Sequence, residues 1–300
     1  MIKKLIILFL AGLFILPLIS YSVTVGPVKL EYSVDPGDVV KGELFVQNEE
    51  KEPRTFYPVF EKFIEEDGTK VFLEGEPTDL ASWFKVQDSI SLNPNEQKKI
   101  SFEIVVPKNA SPGGHFAVIW WGTAPASAGA DQQVAIVTRA GILVYLRVSG
   151  EIKEEASLLS FKAIKRFFSH SPMALEYVLE NSGNVHLKPG GELKIKNIFG
   201  KVKETLPINL KELTVLPQSK KTFQLEWAPE KTVFGAYKAE LNLKYGEGQQ
   251  ELNKAYWFFV LPIKGIVIFL GAIIILALAP LGIKKYNSWI ISKAEKSSGK

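Results

Sequence analysis

The run Gly265–Ile283, GIVIFLGAIIILALAPLGI, limits what this chain can be more than any other stretch. Its nineteen uncharged residues make about 28 Å of helix at ~1.5 Å per residue, against a bilayer core about 30 Å thick. Lys264 stands at one end and Lys284-Lys285 at the other, where long cationic side chains reach headgroups. Tyr256, Trp257, Phe258 and Phe259 lie upstream, and Tyr286 and Trp289 downstream, as two aromatic belts. The competing reading is a buried core helix, which is usually shorter. The expectation is a transmembrane helix over 263–283 that ties the protein to a lipid bilayer.

Charge is unevenly placed around that run. The chain carries +4 overall, but five lysines sit in the tail 284–300 with Glu295, and Lys3, Lys4 and Lys264 add three more. The middle, 23–262, is therefore mildly acidic, at −3. That removes the usual electrostatic argument for a nucleic-acid partner. A basic tail of this kind faces the cytoplasm, which puts the residues before the span outside.

The N-terminus agrees. Lys3 and Lys4 precede an apolar run, Leu5–Ile19, broken by Pro17, with Ser20 and Ser22 at −3 and −1 before Val23. This is the pattern of a signal peptide over 1–22. An uncleaved signal anchor is the rival, and it leaves the middle outside all the same. There are no cysteines, so no disulfide supports the exported domains and each needs its own apolar core. Zinc–thiolate sites and thiol nucleophiles are excluded with them.

From Val23 onward, short alternating runs are broken by turn residues, the signature of an all-β fold of two immunoglobulin-like sandwiches. The first sandwich is expected over 23–149, the linker over 150–157, the second sandwich over 158–262, and a basic tail over 284–300. Strands are expected over residues 24–34, Val39–Asn48, Thr55–Ile64 and Lys70–Leu73. Trp83 and Phe84 are expected to plug the core beneath a long loop. Ile100, Phe102, Ile104 and Val106 alternate strictly, His115–Gly122 follows, and Val134–Val148 closes the first domain after an alanine-, serine- and glycine-rich loop over Ala124–Gln133. In the second domain, strands are expected over Met173–Asn181, Glu192–Ile198, Val202–Leu206, Gly235–Tyr245 and Leu252–Leu261, with Phe223, Leu225 and Trp227 as a core stripe.

The search for chemistry returns little. His115, His170 and His186 show no metalloprotease spacing and read as solvated surface residues; no nucleophile elbow and no phosphate-cradling glycine loop occurs. No catalytic residue, metal or cofactor is expected, and the chain does not read as an enzyme. One strand exceeds the ordinary pattern: Phe116, Val118 and Trp120 alternate on one face, and His115, Ala117, Ile119 and Trp121 on the other. A two-layer sandwich buries one face of each sheet, so a strand apolar on both faces needs a second cover or displays a binding surface. The Phe116–Trp120 face is assigned to the core. The candidate ligand or partner surface is then His115, Ile119 and Trp121, with Gly113 and Gly114 letting backbone approach a ligand closely.

Two stretches, YSVDPGDVVKGELFVQN at Tyr32–Asn48 and ISFEIVVPKNASPGGHFAVIWW at Ile100–Trp121, resemble strands of a surface domain found in bacterial WxL-interacting proteins. The overall plan of signal peptide, two β-domains, one span and a lysine-rich tail is similar to that family as well. A third, ENSGNVHLKPGGELKIKNIFG at Glu180–Gly200, looks instead like a turn-rich segment of bacterial immunoglobulin-like modules. Pilus-assembly chaperones begin with a similar strand pattern but are soluble and lack the anchor. The resemblance implies peptidoglycan binding by the first domain and protein partners for the second. The expectation is a single-pass protein of the cell membrane, with its domains outside and its tail cytoplasmic, that engages cell-wall peptidoglycan or a surface protein. The alternative is a structural or assembly subunit making protein contacts only.

Overall fold

The computed structural model describes residues 23–124, 138–261 and 263–298. The expected signal peptide, most of the Ala124–Gln133 loop and the start of the strand expected from Val134 lie outside the described residues. The chain forms two compact units, each a two-sheet, immunoglobulin-like β-sandwich, and ends in one long helix. Unit 1 comprises the residues up to Glu155 together with Ser182–His186 and Leu216–Ser219; the rest is unit 2.

Unit 1 contains β1 (Val23–Gly26), β2 (Lys29–Val34), β3 (Val39–Asn48), β4 (Arg54–Glu66), β5 (Thr69–Leu73), β6 (Phe84–Lys85), β7 (Ile90–Leu92), β8 (Gln97–Val105), β9 (Gly113–Gly122) and β10 (Arg139–Val148). One sheet has the order β1-β3-β8-β6; the other runs β2-β10-β9-β4-β5, with β7 paired to β4. The single strand expected over 24–34 is two strands in different sheets. β1 pairs antiparallel with β3, and β2 pairs parallel with β10. The crossing falls at Pro27, which has no N–H to give to a ladder. The turn after β2 is as its sequence dictates: Gly37 takes φ +93° and the Asp38 amide donates to the Asp35 carbonyl at 3.1 Å.

Between the two sheets lie Leu44, Val46, Ile100, Phe102 and Ile104 from one, and Ile119, Trp121, Ile142, Val144 and Leu146 from the other. The long loop is plugged by Leu80 and Ala81, in a 3-10 turn over Asp79–Ser82. Trp83 and Phe84, expected in that role, are only half-buried against this core. A second apolar layer covers the outward face of β9: Phe63, Phe116, Val118, Tyr145 and Leu216, with Phe72, Trp120 and Leu143 against them.

The segment expected to be a linker is not a loose tether. The Lys153 amide donates to Asn184 Oδ1, Asn184 Nδ2 donates to the Glu151 carbonyl, both at 2.8 Å, and the Ser182 amide donates to the Glu155 carbonyl at 2.9 Å. A strand already begins at Ala156.

Unit 2 contains β11 (Ala156–Ala163), β12 (Phe167–Phe168), β13 (Met173–Asn181), β14 (Gly190–Asn197), β15 (Val202–Pro207), β16 (Ser219–Trp227), β17 (Gly235–Tyr245) and β18 (Gln250–Val260). Its sheets have the orders β11-β13-β16 and β12-β18-β17-β14-β15. Leu175, Tyr177, Leu179, Leu193, Ile195, Leu241 and Phe258 fill the space between them, and the Tyr177 and Phe223 rings stack at 4.7 Å. β11 was not expected. A register shift between Leu158 and Ser160 breaks its alternation, so period-2 counting passes over it.

Helix α1 (Ile263–Ser298) follows β18 after only Leu261 and Pro262. It is 36 residues long and continues through the tail, well past the expected end at 283. Neither glycine nor proline occurs between Lys284 and Ser298, so nothing there breaks a helix. Val267–Trp289, 23 residues at mean hydropathy 2.4 with none buried, is long and apolar enough to cross a membrane.

Candidate functional site

The start of β9 carries three of the five residues read as a binding surface, and the structure gives each a partner within unit 1. Gly113 has φ +125°, and a Cβ built there would lie 2.7 Å from the Asn184 carbonyl oxygen. The Gly114 amide donates to that oxygen at 2.7 Å. Close backbone approach is indeed what these glycines permit, but the occupant is the chain itself.

His115 is buried rather than solvated. Nδ1 lies 2.5 Å from Asp79 Oδ1 and Nε2 lies 2.8 Å from the Ser111 carbonyl. Both neighbours are acceptors, so a ring that satisfies both donates from both nitrogens and carries a proton on each. Lys62 Nζ closes the cluster 2.9 Å from Asp79 Oδ2, and the Trp83 ring packs on the imidazole at 4.8 Å. Asp79 itself sits at φ +55°, a left-handed conformation that aspartate tolerates better than most residues. No imidazole nitrogen is left to take a proton from a substrate. The cluster works as a clamp that fixes the start of β9 to the Asp79 turn. A cleft of about 500 Å³ lies beside it, lined by Lys62, Asp79, His115, Asn184 and Gln218 among others.

Ile119 and Trp121 are interior: Trp121 is 0% exposed and Ile119 1%. The assignment of faces on β9 is therefore reversed. His115, Ala117, Ile119 and Trp121 face the inter-sheet core, while Phe116, Val118 and Trp120 face the second apolar layer. Alternation fixes which residues share a face, but with both faces apolar it does not say which face meets the other sheet. Trp120 is the half-exposed ring. Its Nε1 donates to Glu61 Oε2 at 2.7 Å, and Arg139 sits 4.5 Å over its centroid while also pairing with Glu61 at 2.9 Å. Asp79, Lys62 and Asn184 carry no local pattern that sequence reasoning could have used, because they meet β9 from distant turns and strands. Among the described residues no group of three or more His, Cys, Asp or Glu could hold a metal ion.

No family model matches the chain. No curated protein matches it either. Among solved structures it is similar to the class 5 fimbriae chaperone CfaA, at 10% identity over 78% of this chain and 99% of that one, with a TM-score of 0.42. The E. coli chaperone DraB is similar at 12% identity, covering 79% and 97%, TM-score 0.36. The Salmonella enterica SafB chaperone, solved with the SafA pilin, is similar at 13%, covering 80% and 97%, TM-score 0.37. Likeness at this level says nothing of what this chain binds. The resemblance to WxL-interacting proteins does not stand, since neither a family model nor a curated protein supports that family.

The clamp makes the stability of unit 1 depend on pH at both ends. Burial acts to raise the Asp79 pKa, but hydrogen bonds and charge from His115 and Lys62 outweigh it and hold the carboxyl at about 2, below its ordinary 3.8. Its contribution is present above the ordinary value and is lost as pH falls from about 4 through about 2. Burial acts to lower His115, but its bonds to Asp79 and Ser111 outweigh that and raise its pKa. Its contribution is full below an ordinary pKa of 6.5 and is lost as pH rises through the higher folded value. Thermal melting against pH should therefore show stability falling at both ends, by roughly 1–2 kcal/mol on the acid side. Asp79→Asn should flatten both limbs. An unchanged alkaline limb in that variant would show that His115 does not titrate against Asp79.

Proposed function

We propose that this chain is a single-pass membrane protein that holds its two sandwiches outside the cytoplasm and its basic tail inside. There it serves as a structural or assembly subunit, making contacts with other surface proteins. The observation that carries the reading is α1, joined to a folded β-domain by two residues: its stretch Val267–Trp289 is long and apolar enough to cross a membrane, has no part buried, and runs into the lysine-rich tail. An apolar helix with no protein cover needs lipid or a partner around it, and the lysines favour a cytoplasmic tail. Protein contacts are favoured over glycan because the residues that suggested a ligand surface on β9, His115, Ile119 and Trp121, are buried within unit 1.

Protease added to intact protoplasts should remove the β-domains and spare an epitope fused after Lys300. Digestion of the epitope with the β-domains protected would invert the topology. Full-length protein, solubilised in detergent, should then co-purify with membrane proteins and not sediment with purified cell wall. Sedimentation with wall and recovery of no protein partner would overturn the assembly reading.

A further inference from the structure

The sheet registers of unit 2 gather three loops at the end from which the helix leaves. Gly235 pairs with Val260, so the loop 228–234 that precedes β17 lies at that end. Asn197 pairs with Tyr237, which brings the β14–β15 turn, Ile198–Lys201, beside it. Phe168 pairs with Val260, which brings the segment around β12 to the same place. Two residues then separate Val260 from α1, a reach of about 7 Å at ~3.3–3.6 Å per residue. Whatever surrounds the start of the helix is within reach of these loops.

Their side chains are unusual for a solvent-facing rim. Phe199 is 85% exposed and Phe234 76%, and Ile164, Phe167 and Ile198 are also exposed. A cleft of about 770 Å³ between the β14–β15 turn and the Pro229–Phe234 segment separates the two most exposed rings, so they do not cover one another. The three loops carry four cations, Lys165, Arg166, Lys201 and Lys231, against one acid, Glu230, and the cleft between them adds one of each sign, Lys203 and Glu204. None of the four is in an ion pair among the described residues. The opposite end of the same sheets differs. Its exposed apolar residues are the aliphatic Leu210 and Leu213, and its charges balance, Lys188 and Lys211 against Glu212 and Glu247.

We propose that this end of the second sandwich is a bilayer-docking rim: Phe199, Phe234, Phe167 and their aliphatic neighbours enter the interface of the outer leaflet while the four cations meet anionic lipid headgroups. The proposal rests on the membrane reading of α1 given above. Aromatic tips with flanking cations are the composition that partitions into headgroup regions, and basic residues near an anionic surface add attraction that salt screens. Docking in this way would hold the sandwich close to the membrane rather than leave it swinging on a two-residue hinge.

The chain has no cysteine, so single cysteines can carry an environment-sensitive dye in the full-length protein without background labelling. Phe199→Cys, Phe234→Cys, Leu210→Cys and Ile274→Cys would each be labelled and reconstituted into vesicles of phosphatidylcholine with a third phosphatidylglycerol, then exposed to lipids carrying a quencher near the headgroup or in the acyl chain. The proposal expects headgroup-level quenching at 199 and 234, several-fold above that at 210, together with acyl-chain quenching at 274. It also expects the rim signal to fall in pure phosphatidylcholine and at high salt while 274 stays unchanged. Quenching at 274 with 199 and 234 no different from 210 overturns the rim and leaves the membrane reading intact. No quenching at 274 overturns the membrane reading itself. A rim shielded from both the lipid quencher and aqueous iodide has a protein neighbour instead of lipid, and a rim signal indifferent to phosphatidylglycerol removes the role given to the cations.

Discussion

Trp121→Ala is expected to cost unit 1 roughly 3–5 kcal/mol, the range for truncating a buried tryptophan, and so a large share of a domain stability of about 5–15 kcal/mol. The ring is fully buried in the layer between the two sheets, and β9, which carries it, is held on both sides by β10 and β4. No flexible edge can collapse into the space the ring would leave. Trp120→Ala should cost less, because that ring is half-exposed and much of its hold is one hydrogen bond to Glu61 and the stacked Arg139. A third variant separates shape from polarity. Among the described residues Trp121 Nε1 has no hydrogen-bond partner, so Trp121→Phe loses ring volume but also removes an unsatisfied buried donor, and should fall well short of the alanine cost. Chemical denaturation of the three variants checks the order. If Trp120→Ala proves the more damaging, the face assignment on β9 is wrong.

That order is the reverse of what alternation alone suggests, and the reason is general. Where one face of a strand is polar, pattern settles both period and side, as in β8 and the residue after it: Ile100, Phe102, Ile104 and Val106 were legible and all are buried. β3, β13 and β17 were legible to the residue for the same reason, with turn residues marking their ends. β9 is apolar on both faces because unit 1 has an inner core and a second apolar layer, and no local rule distinguishes them. The plug of the long loop failed differently. Trp83 and Phe84 drew attention by size, but the smaller Leu80 and Ala81 fit the closed space beneath the turn. The helix was legible in its apolar stretch but not in its full length, because the charged tail that ends a hydropathy run does not end a hydrogen-bonded helix.

The clamp at His115 was not legible because its members come from different parts of the chain: Asp79 lies 36 residues before His115 and Asn184 72 residues after Pro112. Of its members only the histidine was singled out in the sequence, and it read as a solvated surface residue. What binds them is that β9 begins at a glycine pair narrow enough to admit the Asn184 backbone, so that residues 111–115, the Asp79 turn and Asn184 share one small volume. A cluster of this kind looks like an active site by composition. The hydrogen bonds account for both imidazole nitrogens, which lie against acceptors of the chain, Asp79 Oδ1 and the Ser111 carbonyl.

The second large effect is expected at Asn48, the last residue of β3, which sequence reading passed over as the polar end of a strand. It is 0% exposed. Its Nδ2 donates to the carbonyls of Glu52 at 2.8 Å, Asn93 at 3.1 Å and Leu92 at 3.3 Å, and its Oδ1 accepts from the Glu50 amide at 3.0 Å. One amide thus ties the β3–β4 loop to the end of β7 and the turn after it. Asn48→Ala leaves a buried amide and several carbonyls unpartnered, at ~1–3 kcal/mol for each group water cannot reach; with partial relaxation the loss should be roughly 3–4 kcal/mol. Asn48→Asp is the sharper test, because it is the same size and keeps the bond from the Glu50 amide. At neutral pH it sets a buried carboxylate against three carbonyl oxygens, with no donor of its own, and should be at least as destabilising as alanine. As pH falls and that carboxyl takes up a proton it regains one donor, so Asn48→Asp should recover part of its loss toward acid pH while Asn48→Ala does not. The comparison is best made near pH 5, above the window in which Asp79 titrates. Equal stability of Asn48→Ala and the parent, or an aspartate variant that does not recover in acid, would show that this amide is satisfied by water rather than by the loops it touches.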